Sequence, residues 1–431
     1  MYISNDQRSY VVTETIILGR IVMRKFFSLL LATAMTVSLC ACAAAAPAGG
    51  AAADTSSDSG DKLNIKCGFI CLHDENSTYD LNFITGAKAA CEKLGVEAVI
   101  KTNIPEGQEC YDAACELVDQ GCGYVFADSF GHEDYMIEAA KEYPDVQFCH
   151  ATGTKAHTEN LPNFHNAFAS IYEGRYLSGI AAGMKLNQMI EEGKITADQA
   201  KIGYVGAFTY AEVISGYTSY FLGARSVCPT ATMEVTFTGS WYDETAEKEG
   251  ATKLMSDGCV YISQHADSMG APTACENAGV PNSSYNGPTD SACPETYISY
   301  CKIDWEPYFE DSITKAAKGE AIPTDYTGTL ETGSVVIDHF GKNVAPGTEE
   351  AVEKAKADII AGKLHVFDTK TFTVEGKELT SYMADVDTDA NYEGDHEVIK
   401  DGYFNESGEG LRSAPYFNLN IDGITLLDTA F

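Results

Sequence analysis

The sequence predicts an α/β protein of two lobes, each a doubly wound parallel sheet flanked by helices, with a cleft between them. Three observations carry that expectation. Short β-rich runs alternate with amphipathic helical stretches; the alternation restarts as a second series near Ile171; and the 370 residues from Lys62 onward, in a chain that is 45% hydrophobic, suffice to bury two cores.

In the first series Ile65 to Leu72 reads as a strand, followed by a helix from Leu81 to Leu94 that stops at Gly95. Val99-Ile100 precedes a helix from Glu109 to Val118, Tyr124 to Ala127 precedes a helix from Glu133 to Lys141, and Val146 to Cys149 is the fourth strand. The second series opens with a helix from Ile171 to Met189. It continues with strands at Ile202 to Val205, Met233 to Phe237 and Val260 to Ser263, and with helices at Glu212 to Arg225, Glu244 to Met255 and Ala271 to Asn277. The expected lobes are 62–168 with 303–335, and 169–302 with 336–431. Three crossings between them form a hinge.

In open α/β sheets ligands sit beyond the carboxyl ends of the strands. The loops there carry His73 to Asp80, then Asp128-Ser129-Phe130-Gly131, and from the second series Gly239-Ser240-Trp241-Tyr242-Asp243, Gln264 to Ser268, and Tyr285-Asn286-Gly287. Aromatic rings beside carboxylates and amides suit a flat polar ligand, stacked on its faces and hydrogen-bonded at its edges. Helix capping is a competing account of Asp74, Ser77, Thr78, Asp128, Asp243 and Asp267. It does not explain Tyr79 or Trp241.

Upstream, Met23-Arg24-Lys25, the apolar run Phe26 to Leu39 and the string Leu39-Cys40-Ala41-Cys42 read as a lipoprotein signal, with the small Ala41 before a lipidated Cys42. The apolar run is too short to span a bilayer, which takes about 20 residues. The mature protein is therefore expected on the extracytoplasmic face of the cell membrane, held by its lipid. Residues 43–61, mostly Ala, Gly, Ser and Asp, form a tether that cannot bury enough apolar surface to fold. Of 14 cysteines, two belong to the signal. Cys67, Cys71, Cys149 and Cys259 lie in or beside apolar runs and Cys91 and Cys115 on helix faces, as small packing hydrophobes do, with one or two disulfides as the alternative, not pairable from sequence.

The formal net charge of −34 becomes −36 without residues 1–41, which leaves no basic stripe to neutralise nucleic-acid phosphates. An acidic surface also stays off anionic headgroups, so anchoring falls to the lipid. No G-x-S-x-G elbow, phosphate-binding G-x-x-x-x-G-K-[ST] loop, H-E-x-x-H or G-x-G-x-x-G following a strand is present, and no CxxC pairs are spaced for zinc. Asp385, Asp387 and Asp389 have calcium-loop spacing, but Ala390 replaces the turn glycine and His396 the bidentate glutamate. Neither an enzyme, a metal nor a cofactor is expected.

The strings Tyr172 to Gly183 (YEGRYLSGIAAG), Ile202 to Gly206, Gly239 to Asp243 and Ile359-Ile360-Ala361-Gly362-Lys363 resemble the basic membrane protein family, substrate-binding lipoproteins of ABC importers that include purine nucleoside receptors. The resemblance implies a type I periplasmic-binding-protein-like fold that captures a purine base or nucleoside by lobe closure and delivers it to permease subunits. It also implies positions. Tyr79, seven residues before Gly86, takes the first-lobe aromatic; Asp80 takes a polar position that is often asparagine; Trp241 takes the second-lobe aromatic. Asn286 stands where nucleoside receptors place an aspartate on the ribose, and Lys302 where they have a late lysine. The Asn286 departure and the Gln264 to Ser268 segment resemble a branch that takes free bases. With Asp128, Ser129 and Asp267 from the strand-end loops, these residues are the expected ligand site. The alternatives are a ligand sensor of the same fold, signalling to a membrane partner, and binding of a different small solute.

Overall fold

The computed structural model describes residues 63–386, 396–408 and 410–429. The expected signal and lipidated Cys42, the tether, and Asp387, Asp389 and Ala390 of the acidic turn lie outside these residues.

The alternating pattern builds β1 (Lys66–Ile70), α1 (Thr78–Leu94), β2 (Glu97–Lys101), α2 (Gln108–Asp119), β3 (Tyr124–Ala127), α3 (Glu133–Glu142), β4 (Gln147–Ala151), the single turn α4 (Ala156–Glu159) and β5 (Phe164–Ala169). There follow α5 (Ile171–Glu191), β6 (Lys201–Gly206), α6 (Ala211–Val227), β7 (Thr232–Phe237), α7 (Glu244–Ser256), β8 (Tyr261–His265), α8 (Gly270–Ala278), β9 (Asn282–Tyr285) and β10 (Tyr297–Ile303). The remainder is α9 (Glu306–Lys318), β11 (Asp325–Gly328), β12 (Val335–Val336), α10 (Thr348–Ile360), the two-residue strands β13 (Met383–Ala384), β14 (His396–Glu397), β15 (Ile399–Lys400) and β16 (Tyr403–Phe404), and β17 (Ile424–Leu426). Among the described residues no helix is long and apolar enough to cross a membrane.

Two large sheets result. The first runs β11-β5-β4-β3-β1-β2 and is parallel throughout; the second runs β12-β10-β9-β8-β6-β7-β17 and is parallel except for β12, which pairs antiparallel to β10. β1 sits between β2 and β3, and β6 between β7 and β8, so each sheet has a switch point where the chain winds outward in both directions. The chain passes between sheets three times: from β5 to α5, from β10 to α9 and from β11 to β12. Crossing segments bond to each other, Ser170 N–H to the Gly328 carbonyl at 2.7 Å and Asp304 N–H to the Ser334 carbonyl at 2.8 Å. Val335 pairs with Ile303 in the second sheet, whereas the sequence reading ended the first lobe at residue 335.

α1 begins three residues earlier than expected because its first turn is polar and stabilised by capping: Ser77 Oγ accepts from Asp80 N–H at 3.2 Å. At the other end Gly95 takes the left-handed conformation (φ 67°) and donates to Glu92. Asp243 caps α7 in the same way, accepting from Thr245 and Ala246 N–H at 3.0 and 2.9 Å. All twelve described cysteines are free thiols and eleven are buried; Cys115 is partly exposed.

The string that carries the family resemblance has a packing reason. α5 and α6 lie so close that a Cβ at Gly179 would collide with the Tyr220 carbonyl, one at Gly183 with that of Ala224, and one at Gly223 with that of Tyr176. Backbone carbonyls cannot swing aside as side-chain ends can, so the helices would have to separate. Gly223→Ala is expected to destabilise the protein by about 1 to 3 kcal/mol through overpacking, read as a lower denaturant midpoint at unchanged slope. An unchanged midpoint would contradict this packing account.

Candidate functional site

The carboxyl ends of β1, β3 and β4 in the first sheet, and of β6, β7, β8 and β9 in the second, converge on one cleft, narrowed in this structure to a cavity of about 20 Å³. Leu72, His73, Tyr79, Asp80, Ser129, Phe130 and Thr152 line it from the first sheet, and Glu212, Trp241, His265, Asp267, Tyr285 and Asn286 from the second. Its edges meet. Thr78 donates to the Asp267 carbonyl from N–H at 3.1 Å and from Oγ1 at 3.3 Å, and the rings of Phe130 and Tyr210 lie 5.3 Å apart across the opening.

The first-lobe wall is ordered by two buried carboxylates. Asp80 accepts from His73 N–H at 2.8 Å and Ser77 Oγ at 2.6 Å, with His73 Nδ1 at 3.4 Å. Burial opposes its charge, but these hydrogen bonds hold its pKa below the usual value. Asp128 sits behind the wall. Its Oδ1 accepts from Leu72 N–H at 3.1 Å, and burial followed by the Asp80 charge pushes its pKa well up. Cys71, Asp80 and Asp128 bring donor atoms within 4.8 Å of one another, yet Asp80 already uses its oxygens on His73 and Ser77. A proton on Asp128 between two carboxylates fits this arrangement better than a cation. Tyr79 stands over Asp128, donating from its hydroxyl to the Asp128 carbonyl at 2.7 Å, while its ring meets Phe83 edge-on at 4.8 Å.

On the second-lobe wall Trp241 packs edge-on against Phe208 at 5.0 Å, and Phe208 stacks on Tyr210 at 5.0 Å and 13°. The Trp241 carbonyl accepts from Asp267 N–H at 3.0 Å, which couples the ring's loop to that carboxylate. Asp267 is buried, accepts from Asn286 Nδ2 at 3.3 Å, and is pushed well above the usual carboxylate range by burial and then by the Asp80 charge. Asn286 holds a left-handed backbone (φ 66°), as a turn residue with a short polar side chain can. The hydroxyl of Tyr285 is buried without a protein partner.

Six expected residues thus line one cleft: Tyr79, Asp80, Ser129, Trp241, Asp267 and Asn286. Asp128 lies one layer behind. Lys302 is not brought in: it pairs with Val336 near the end of β10, and between the buried Cys301 and Ile303 strand alternation turns it to the other face. The capping account holds for Ser77 and Asp243 and fails for Asp128 and Asp267, which are buried in the site. Sequence reasoning missed Glu212, Thr152 and Leu72. The strand-end rule applied to the loops after β4 and β6 points to the first two.

A family model described as ABC transporter substrate-binding protein PnrA-like matches residues 72–370. A purine-binding protein of Brucella abortus (strain 2308) is 29% identical over 319 residues, covering 73% of this chain and 86% of that one. A Haloferax volcanii relative, whose name assigns it provisionally to glucose binding by an ABC transporter, is 33% identical over 254 residues, 59% of this chain and 61% of its own length. The chain thus spans less than two thirds of the length of the Haloferax volcanii relative. Among solved structures, ABC transporter solute-binding proteins from Aeropyrum pernix K1 (TM-score 0.59, 16% identity, 70% of this chain and 93% of that one) and Conexibacter woesei (TM-score 0.55, 18%, 70% and 98%) share the fold. The chain belongs to the Bmp family of PnrA-like ABC transporter substrate-binding proteins, extracytoplasmic carriers without catalytic activity.

Proposed function

We propose that this chain is a lipoprotein, anchored through Cys42, that captures a purine base or purine nucleoside between Tyr79 and Trp241 and presents it, lobes closed, to an ABC permease. The observation that carries the reading is the cleft's composition: aromatic rings from both lobes, with Asp80, Glu212, Asp267 and Asn286 at their edges and no lysine or arginine in the lining. Such a site suits a flat ligand rich in N–H groups and disfavours a phosphorylated one. The names of the Brucella abortus relative and of a Lactococcus lactis nucleoside-binding relative, 23% identical over 342 residues, support the ligand class.

A thermal-shift screen over nucleobases, nucleosides and sugars tests the reading, since a ligand that binds only the folded state raises its Tm. Purines are expected to stabilise; stabilisation by glucose alone would overturn the ligand class. Stacking of a base on an aromatic ring is worth about 1 to 3 kcal/mol, so Trp241→Ala is expected to weaken purine binding by roughly tenfold to a hundredfold in isothermal titration. Equal affinity would remove Trp241 from the site. Because lining residues come from both sheets, a bound ligand favours closure, and small-angle scattering is expected to show a smaller radius of gyration at saturation. An unchanged radius would count against a hinge. Replacing Cys42 by Ala is expected to abolish incorporation of radiolabelled palmitate, and incorporation that persists would place the lipid elsewhere.

A further inference from the structure

Behind the second-lobe wall lies a charge that lines no part of the cleft. Arg175, on α5, is fully buried, and among the described residues no carboxylate lies within ion-pair distance of it. Its guanidinium sits over three tyrosine rings, 5.2 Å from Tyr204, 5.6 Å from Tyr220 and 4.7 Å from Tyr285. One nitrogen, Nη2, donates to the Tyr204 hydroxyl and, at 3.0 Å, to the Gln264 carbonyl; beyond these the guanidinium has the buried Cys301 thiol as its neighbour. A buried cation held largely by aromatic faces is costly unless it serves something nearby.

What lies nearby is a chain of hydrogen bonds ending in the cleft. The Tyr204 hydroxyl is 3.4 Å from His265 Nδ1, and His265 Nε2 is 3.4 Å from Glu212 Oε1. Both His265 and Glu212 line the cleft. Proton directions follow from the two ends. Arginine only donates, so the Tyr204 oxygen accepts from Arg175 and its own proton turns to His265 Nδ1. A carboxylate only accepts, so Nε2 carries the imidazole proton and gives it to Glu212. Burial keeps His265 below its ordinary pKa despite Glu212, and the Arg175 charge adds to the effect, so a neutral ring with one proton is what the chain requires.

We propose that Arg175, through Tyr204 and His265, is a positioning residue that fixes Glu212 as an acceptor-only carboxylate, so that the second lobe selects ligands by an N–H donor presented to Glu212. The selection deepens the purine reading and rests on it; the proton arrangement does not. Arg175 belongs to the YEGRYLSGIAAG string, whose glycines serve helix packing. The relay gives the arginine of that string a separate role. Tyr285 fits the same design: its ring lies beneath Arg175, its hydroxyl is buried without a partner, and the residue lines the cleft together with Glu212.

The test compares parent, Tyr204→Phe and Glu212→Gln proteins. Tyr204→Phe keeps the ring and removes one oxygen from the relay. In ¹⁵N NMR of the imidazoles, with His265 assigned by His265→Gln, the parent is expected to show the Nε2–H tautomer and Tyr204→Phe a loss of that fixed tautomer. A parent ring protonated at Nδ1, or an unchanged signal in Tyr204→Phe, would overturn the relay whatever the ligand is. With adenine as probe, Glu212→Gln is expected to weaken binding by about tenfold to a hundredfold, the range of a lost hydrogen bond to a charged group. Tyr204→Phe is expected to weaken it about tenfold. Unchanged adenine affinity in Glu212→Gln would overturn the selection. Failure of the parent to bind any purine would instead overturn the ligand class, with the NMR result still deciding the relay.

Discussion

The first turn of α1 is the constraint on which the rest of the site depends. Five of its residues hold distinct contacts: Ser77 caps the helix and bonds Asp80, Thr78 reaches the Asp267 carbonyl of the other lobe, Tyr79 reaches the Asp128 carbonyl, Asp80 gathers the loop after β1, and Asn82 donates to the Ile303 carbonyl at a crossing. Helix N-termini leave backbone donors unsatisfied. Here one of them, on Thr78, is satisfied by the opposite lobe. In this structure one contact both satisfies the helix N-terminus and joins the two lobes at this end of the cleft, where Tyr79 and Asp80 enter the lining.

Buried charge is distributed unevenly around that turn. Asp80 stays ionised because local donors surround it, whereas Asp128 and Asp267, with fewer donors and Asp80 nearby, are pushed toward the neutral form. A neutral carboxyl both donates and accepts; an ionised one only accepts. The two walls therefore offer different hydrogen-bonding patterns to one ligand edge, although both are built from acidic residues. Arg175 behind the second wall supplies the positive charge that the lining lacks.

Much of this was legible from sequence because parallel α/β order leaves a strong signature. Helical periodicity locates α2, α3, α6, α7 and α8 to within a few residues, and the strand-end rule points to Tyr79, Asp80, Ser129, Trp241, Asp267 and Asn286, which line one cleft. What escaped has physical reasons. β9 is Asn-Ser-Ser-Tyr, buried at every position, and carries no apolar signal because hydrogen bonds such as Ser283 to Tyr261 (2.6 Å) and Ser283 to Ser299 (3.0 Å) stand in for hydrophobic contacts. Asp128 and Asp267 looked like caps because composition alone does not separate a solvated aspartate from a buried one. The relay behind Glu212 joins residues 175, 204, 212 and 265, a neighbourhood that only the folded second sheet creates.

The chain has two tryptophans, which makes its fluorescence a direct probe of the central claim. Trp241 lines the cleft, while Trp305 is buried in the first lobe, stacked on Phe83 at 4.4 Å. Titration with adenine is expected to quench emission saturably in the parent protein and to leave Trp241→Phe almost unquenched. Equal saturable quenching in both proteins, or none in the parent, would contradict a purine stacked on Trp241 between the two lobes.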